Sequence, residues 1–299
     1  MDKRKILIQL DSDPQPSVFD RVVAIDAGAD EVFSYGGVRP EQVRELVHGA
    51  IFTRGPKDLK STAIFIGGSD VLAEKRLLSE VFRTMLPQFG LSVSVLLDSQ
   101  GANTTSAAAV RVASRHLELK GASALVLGGT GPVGQRVSRL MARQGAQVRV
   151  GSRQLARAES VVEGICLEAI HDETMNAKVS KALPEAVVTG TPAELENALK
   201  GRTLIISAGA AGAVLLPRSA LAACPELKVL IDLNAVPPLG IEGVEVTDKG
   251  TQRDGIICYG AIGVGETKMK IHKAAIAKLF ESNDQIMDAE EVYELASTI

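Results

Sequence analysis

The stretch that decides the fold is Gly129-Thr130-Gly131-Pro132-Val133-Gly134, which matches the pattern G-x-G-x-x-G. The apolar run Ala124–Leu127 precedes it, and the amphipathic stretch Pro132–Gln144 follows it. A glycine turn between a buried strand and a helix is typical of dinucleotide-binding folds, because it brings a pyrophosphate to free N–H groups at the N-terminus of a helix. The alternative interpretation is a glycine-rich turn that binds nothing.

Each glycine of this motif has an expected task. We expect Gly129 to permit the tight turn and Gly131 to let the backbone approach a pyrophosphate without an intervening Cβ. Gly134 is expected to allow the helix to pack closely on the strand. The sequence from residue 119 to 265 is therefore predicted to form a Rossmann-type domain.

The residues after the next predicted strand, Gln147–Val150, indicate which dinucleotide is bound. An NAD site usually has an acid there for the ribose 2′-hydroxyl. Here Ser152 and Arg153 follow, with Arg157 four residues on, and no acid occurs before Glu159. A guanidinium attracts a 2′-phosphate, so the pattern favours NADP. Solvated surface arginines are the alternative.

Two more strand ends are candidate neighbours of the nicotinamide ribose, because ligands of doubly wound sheets bind beyond the carboxyl ends of the strands. One follows Thr203–Ile206 and the other follows Val229–Asp232. A role in the turns alone is equally compatible with these residue types. The predicted cofactor-binding residues are Gly129, Thr130, Gly131, Pro132, Val133, Gly134, Ser152, Arg153, Arg157, Ser207, Ala208, Gly209 and Asn234.

The pattern outside the motif predicts an α/β protein of two domains. Residues 1–118 alternate strand-like and helix-like stretches and are expected to form an N-terminal α/β substrate domain. Residues 266–299 are helical in pattern and are expected to pack back on it. The predicted elements outside the motif region are Ile6–Leu10, Ser17–Ala27, Gln42–Ile51, Thr62–Ile66, Asp70–Met85, Ser92–Leu97, Asn103–Leu119, a helix opened by the capping box Thr191–Glu194, and Asp288–Ala296.

Composition excludes several classes of function. The 299 residues carry a net charge of −3 and only 3% aromatic residues with no Trp, which disfavours nucleic-acid binding. The three cysteines are far apart and form no Cys/His cluster, so no metal site is expected. The first apolar run ends at Asp11, too early for a signal peptide or a membrane span. We expect a soluble cytoplasmic protein.

No arrangement of histidines with nucleophiles is visible, and the four histidines do not cluster. Polar residues nevertheless occur at Asp20, at Asn103-Thr104-Thr105, and at Lys268 and His272, which would share a helix face at spacing i, i+4. Each of them taken alone is also compatible with a solvated surface position.

Ten stretches together give the chain a family resemblance. Their order and spacing resemble the methylene-tetrahydromethanopterin dehydrogenases of methylotrophic bacteria, especially the NADP-dependent type. The stretches are PSVFD (16–20), IDAGAD (25–30), IFTRG (51–55), STAIFIGG (61–68), NTT (103–105), GTGPVG (129–134), SAGAAG (207–212), NAVPPLGI (234–241), GAIGVG (260–265) and KMKIHKAAIAKLFES (268–282).

The resemblance implies hydride transfer from N5,N10-methylene-tetrahydromethanopterin, and for some members methylene-tetrahydrofolate, to NADP. It implies a homo-oligomer with a small pterin substrate and no nucleic-acid or membrane partner. A bifunctional methylene-tetrahydrofolate dehydrogenase/cyclohydrolase and a non-enzymatic NADP-sensing regulator are the alternatives. The implied catalytic residues are Lys268, Asp20 and Thr105, and the implied substrate-binding residues are Asn103, Thr104 and His272.

Overall fold

The computed structural model describes residues 3–171 and 183–299. The chain divides into two compact units. Unit 1 comprises Met1–Thr104 and Met269–Ile299, and unit 2 comprises Thr105–Lys268. We predicted the changes after residues 118 and 265. The structure has them after Thr104 and Lys268, because two helices run through the points where the units meet along the chain.

The described α-helices alternate with strands along most of the chain. The helices are α1 Val18–Asp26, α2 Pro40–Phe52, α3 Val71–Thr84, α4 Ala102–Ser114, α5 Pro132–Arg143, α6 Leu155–His171, α7 Pro192–Leu199, α8 Ala261–Lys278 and α9 Ala289–Ala296. The strands are β1 Ile6–Asp11, β2 Glu31–Tyr35, β3 Thr62–Gly67, β4 Ser94–Leu97, β5 Ser123–Leu127, β6 Gln147–Ser152, β7 Glu185–Val188, β8 Leu204–Ser207, β9 Val229–Asp232, β10 Lys249–Arg253, β11 Ile256–Tyr259 and β12 Ile286–Met287.

Unit 1 is built on a parallel sheet of five strands in the order β12-β4-β3-β1-β2. Counted along the chain, this is the doubly wound order 2-1-3-4-5, in which the direction of winding reverses between β1 and β3. The middle strands read as buried apolar runs, and β3 is buried along its whole length, as parallel strands covered on both faces must be. β12 adds the last strand to this sheet by pairing with β4.

Unit 2 is built on a seven-stranded sheet in the order β10-β11-β9-β8-β5-β6-β7. The pairing is parallel except for β10, which forms an antiparallel edge with β11. From β7 to β11 the order is 3-2-1-4-5-6, the Rossmann arrangement, whose winding reverses between β5 and β8. The predicted fold class, an α/β protein with a Rossmann-type domain and an N-terminal α/β domain completed by the C-terminal helices, is confirmed, and the C-terminal part adds strand β12 as well.

Local chemistry fixes several helix starts. The hydroxyl of Ser17 accepts a hydrogen bond from the N–H of Asp20 and so caps α1. Asp70 caps α3 by accepting from the N–H groups of Leu72 and Ala73. The predicted capping box of α7 is present between Thr191 and Glu194.

Several strands were not predicted. β2 is an edge strand whose residues are half-buried or exposed, and β10, β11 and β12 are short or polar.

Among the described residues, every helix is too short or too polar to span a lipid bilayer.

Candidate functional site

The glycine motif forms the turn between β5 and α5, at the point where the winding of the unit 2 sheet reverses. The residue that turns the chain is Gly128, whose φ is 66°. Gly129, for which we predicted the tight turn, is the next residue of the same turn. A Cβ on Gly128 would lie 2.5 Å from Cα of Gly209. The loops after β5 and β8 therefore touch backbone to backbone.

The other glycines of the motif serve packing and approach. A Cβ on Gly129 would lie 2.7 Å from a methyl of Val150, and one on Gly134 would lie 2.5 Å from the carbonyl oxygen of Gly128. Gly131 precedes α5 and would make only ordinary contacts of 3.6 Å or more if it carried a Cβ. Pro132 opens the helix without an N–H, and the next N–H groups have no intrahelical acceptor.

The cationic residues predicted to select NADP lie at the end of β6. The hydroxyl of Ser152 accepts a hydrogen bond from the N–H of Gln154 and shapes the turn into α6. Arg153 and Arg157 are exposed. Within residues 3–171 and 183–299, neither guanidinium has an ion pair or a hydrogen bond. Both charges are thus available to an anion at this edge of the sheet.

The ends of β8 and β9 carry a buried polar pair beside Gly240. A Cβ on Gly240 would clash with the hydroxyl of Ser207 and would lie 2.8 Å from Oδ1 of Asp232. Burial raises the pKa of the Asp232 carboxyl, although hydrogen bonds from the N–H groups of Asn234 and Ile241 lower it in part. Glycine at position 240 leaves room for this pair.

The side chain of Asn234, which we predicted to contact the cofactor, forms hydrogen bonds within its own loop. Its side-chain amide donates to the carbonyl of Pro238 at 3.1 Å, and its side-chain oxygen accepts from the N–H of Val236 at 3.0 Å. The structure therefore supports the alternative that we left open for this residue, a role in the turn.

In unit 1, the structure brings Asp20 and His272 together. Oδ1 of Asp20 lies 3.9 Å from Nε2 of His272, which is close enough for attraction and too far for a direct hydrogen bond. The His272 side chain is buried, and its ring stacks on Phe65 with 5.9 Å between centroids. Phe19 is a second aromatic neighbour of the imidazole, tilted by 34° with 6.2 Å between centroids. These two rings hold the imidazole beside the carboxylate.

Asn103 and Thr104, predicted to bind substrate, are both buried. The hydroxyl of Thr104 donates to Oδ2 of Asp98 at 2.6 Å. The side-chain amide of Asn103 donates to the carbonyl of Leu97 and to Oδ1 of Asp288. Both side chains are thus engaged with the end of β4, the residue after it and the start of α9, and their contact with substrate stays a prediction.

The two other predicted catalytic residues belong to unit 2, where both are half-buried. Thr105 lies in the first turn of α4. Lys268 lies on α8, one helical turn before His272. The predicted i, i+4 arrangement of Lys268 and His272 is thus present on one continuous helix.

Sequence reasoning missed a second polar group in unit 1, at the carboxyl ends of β1 and β3. Glu74 is buried there, and its Oε1 accepts a hydrogen bond from the hydroxyl of Ser12 at 3.1 Å. Burial, and secondarily the nearby carboxylates of Asp11, Asp13 and Asp70, raises the pKa of Glu74 to about 7. Its position early in α3 resembles an ordinary exposed helix residue, so the sequence held no sign of its burial.

In the described part of the chain, no group of three or more His, Cys, Asp or Glu side chains could hold a metal ion. Cys166, Cys224 and Cys258 are free thiols. The site chemistry of the described residues is therefore that of carboxylates, guanidinium groups, an imidazole and glycine turns.

The Rossmann order of the unit 2 sheet and the glycine turn at its reversal point define a dinucleotide-binding protein of the two-domain dehydrogenase class. A relative named "NAD(P)-dependent methylenetetrahydromethanopterin dehydrogenase", from Methylorubrum extorquens strain AM1, is 32% identical over 313 residues, with 99% of each chain covered. The chain belongs to the methylene-tetrahydromethanopterin dehydrogenase family.

Further comparisons agree with this membership. The family model described as "Methylene-tetrahydromethanopterin dehydrogenase, N-terminal" matches residues 18–100. A second relative from the same organism, named "Bifunctional protein MdtA", is 42% identical over 295 residues and covers 98% of each chain. The ligand-free 5-ketofructose reductase of Gluconobacter sp. strain CHM43 has a similar fold, with a TM-score of 0.51, 14% identity and 99% of each chain covered.

Proposed function

We propose that the protein catalyses reversible hydride transfer from N5,N10-methylene-tetrahydromethanopterin to NADP, giving the methenyl form. Methylene-tetrahydrofolate is a second candidate donor. The observation that carries the proposal is the glycine turn at the reversal point of the unit 2 sheet together with two exposed arginines after β6. The name of the Methylorubrum relative that is 32% identical supports it.

The residues of unit 2 fit a phosphorylated dinucleotide. Gly131 precedes the N-terminus of α5 and carries no Cβ, and the free N–H groups there attract a pyrophosphate. Arg153 and Arg157 would bind the 2′-phosphate, and Ser207 with Gly209 would lie along the nicotinamide ribose. NADP, when bound, supplies the hydride acceptor of the reaction.

The substrate side needs alignment more than acid–base chemistry. The lone pairs of the two nitrogens beside the bridging carbon drive hydride departure, so no proton has to be removed from carbon. The protein's residues therefore orient the pterin and adjust the electric field around the positive charge that develops. We assign orientation and charge balance to Asp20 and His272, and hydrogen bonding to Thr105.

Lys268 is assigned the positioning of the pterin and control of local charge. A cation cannot stabilise another cation directly, so the ammonium is not the electrostatic driver of hydride departure. Asp20 is the group of suitable sign, because a carboxylate favours a positive product.

The decisive experiment is a steady-state assay that crosses methylene-tetrahydromethanopterin and methylene-tetrahydrofolate with NADP and NAD. We expect the highest kcat/KM for tetrahydromethanopterin with NADP. Absence of reduction with both pterins, combined with tight NADP binding, would instead indicate a sensing protein. Hydrolysis of the methenyl product by the same enzyme would indicate the bifunctional dehydrogenase/cyclohydrolase.

The proposal also covers location and assembly. We place the protein in the cytoplasm and expect a homo-oligomer. Helix α1 exposes Val18, Val22 and Ile25 at helical spacing, which supports a contact between copies on this face. Light scattering of the purified protein measures the assembly, and a monomeric mass at micromolar concentration would contradict it.

A further inference from the structure

We propose that the carboxyl edge of the unit 1 sheet binds the N–H-rich edge of the pterin's 2-amino-pyrimidinone ring, with Glu74 as the principal acceptor. This inference rests on the proposed function, because it names the part of that substrate which unit 1 recognises. It concerns residues to which neither the family resemblance nor the glycine motif assigned a role.

The topology of unit 1 selects this edge. The order 2-1-3-4-5 reverses its winding between β1 and β3. In such sheets, the chains that leave the two central strands run to opposite faces and open a crevice at the carboxyl ends, which is where ligands bind. β1 ends at Asp11 and β3 ends at Gly67, and Ser12 and Gly68 are the next residues. The crevice of unit 1 is therefore lined by these two loops.

One acceptor in this crevice is unsatisfied. Glu74 is buried and uses Oε1 to accept the hydrogen bond from Ser12. Its other oxygen, Oε2, is buried and has no hydrogen-bond partner in the described residues. A buried acceptor left without a donor keeps the full cost of its lost hydration, and this cost is larger if the acceptor is charged. An N–H group from a ligand removes that cost.

Gly68 lets the loop after β3 pack directly against the acceptors of this edge. Its φ is 129°, which side-chain-bearing residues rarely adopt. A Cβ there would clash with the hydroxyl of Ser12, and it would lie 2.5 Å from Oε1 of Glu74 and 3.0 Å from Oδ1 of Asp11. These three oxygens therefore converge on Gly68, and a side chain at this position would push them apart.

The charge of the crevice defines the class of ligand. The charged groups that act on Glu74 are the carboxylates of Asp11, Asp13 and Asp70. Asp11 already accepts the N–H groups of Asp13 and Ser17, so it shapes the loop. The metal alternative has no support, since no metal-binding group occurs among the described residues. A neutral or cationic ligand that donates N–H groups fits this crevice.

The 2-amino-pyrimidinone ring has this chemistry. Its 2-amino group and its N3–H lie side by side and donate in the same direction, which suits two-point binding to a carboxylate. An anionic part of the substrate would be repelled by the four carboxylates. The crevice therefore suits the ring end of the substrate.

The test combines a variant with a modified substrate. Glu74→Gln keeps the size of the side chain and removes the carboxylate, and Glu80→Gln on the same helix is the control, since Glu80 is paired with Arg83. We expect Glu74→Gln to raise KM for the methylene-pterin about tenfold or more. KM for NADP should stay within about twofold of the wild-type value, and Glu80→Gln should change neither constant.

The modified substrate is the methylene-pterin with a methyl group in place of the 2-amino group. The wild-type enzyme should bind it at least about tenfold more weakly than the parent, while Glu74→Gln should hardly distinguish the two. Equal affinity of the wild-type enzyme for both compounds would overturn the proposal. So would an equal loss of affinity for both compounds in the variant, because that result indicates a structural defect.

The experiment separates this inference from the proposed function. If the wild-type enzyme oxidises no methylene-pterin, the proposed function fails. If it does so with no dependence on the 2-amino group, only the crevice assignment fails. Should Glu74→Gln not fold, the comparison of the two substrates with the wild-type enzyme decides the crevice assignment on its own.

Discussion

Oδ1 of Asp20 lies 3.9 Å from Nε2 of the buried His272, whose ring stacks on Phe65 and also neighbours Phe19. The two partners come from α1 and α8, which are about 250 residues apart along the chain. A long-range pairing of a carboxylate with a buried imidazole is costly to maintain without a task, because both groups lose hydration. The pair therefore belongs among the first targets for mutagenesis.

Asp20→Asn tests this pair. The amide keeps the shape of the side chain but removes the negative charge beside His272 and beside the positive charge that develops in the product. We expect kcat/KM for the methylene-pterin to fall by about tenfold or more, with KM for NADP unchanged. Asp26→Asn is the matched control, since Asp26 lies on the same helix, exposed and paired with Lys273. Equal effects of the two substitutions would contradict the assignment.

Arg153→Glu tests the choice of cofactor. A carboxylate at this position repels a 2′-phosphate and can accept from a ribose 2′-hydroxyl. KM for NADP should rise more than tenfold, while KM for NAD should stay the same or fall. Arg218→Glu is the control, because Arg218 pairs with Asp254 in the same unit. An unchanged ratio of the two constants would remove Arg153 from the cofactor site.

Lys268→Ala tests the positioning role of the ammonium. Turnover should fall by about tenfold or more while the dissociation constant of NADP, measured by fluorescence titration, stays the same. Lys278→Ala provides the comparison, since Lys278 ends the same helix and pairs with Glu281. Full activity of Lys268→Ala would show that the lysine is only a helix residue.

Gly128→Ala tests the positive-φ residue of the glycine turn, which lies one position before the motif. The new Cβ strains the positive-φ backbone of residue 128 and has to displace Gly209. We therefore expect the free energy of unfolding to fall by about 2 kcal/mol or more and NADP to bind more weakly. Gly121→Ala is the control, with a φ of 79° and nothing within 4 Å of its Cβ. Gly121→Ala introduces only the backbone strain of a positive φ, which should lower the free energy of unfolding by about 1 kcal/mol. Equal melting temperatures for the two variants would contradict the close approach of the loops.

The buried carboxyl of Glu74 predicts a pH-dependent stability. Its pKa is raised from 4.5 to about 7, mainly by burial. Between these values the folded protein holds a proton that the unfolded chain releases, so stability falls as the pH rises through this window, and the loss is complete above about 7. Glu74→Gln has no carboxyl at this position and therefore lacks this pH-dependent loss of stability. Its melting temperature relative to wild type should therefore be several degrees higher at pH 8 than at pH 5, whereas the difference for Glu80→Gln should not change with pH.

The sequence predicts the parts of the fold in which local pattern and tertiary structure agree. Buried strands such as Thr62–Ile66 and Val229–Asp232, and helices with capping residues such as Thr191 and Asp70, are within a residue or two of their observed bounds. β2 was missed because an edge strand is covered on fewer sides and its pattern is correspondingly weak. β12 is two residues long and is defined only by its partner β4.

The candidate site likewise contains residues that local sequence pattern predicts and residues whose contacts depend on tertiary structure. The sequence alone predicts the glycine turn and singles out Arg153, because a short motif carries its own chemistry. The roles of Asn103 and Thr104 were not readable, because their partners Asp98, Leu97 and Asp288 are set by folding. Glu74 has the composition of a surface residue, and only the packing of α3 against the loop at Ser12 makes it a buried acceptor.

The pairing of β12 with β4 also bears on the order in which the chain can fold during synthesis. Unit 2 is one continuous segment, whereas the first sheet receives its fifth strand only when residues 286–287 have left the ribosome. Until then the outer side of β4 offers unpaired N–H and C=O groups to any neighbouring strand. All of unit 2 thus emerges before the last strand of unit 1. During that interval, the unpaired edge of β4 is the part of the nascent chain that a chaperone would have to shield.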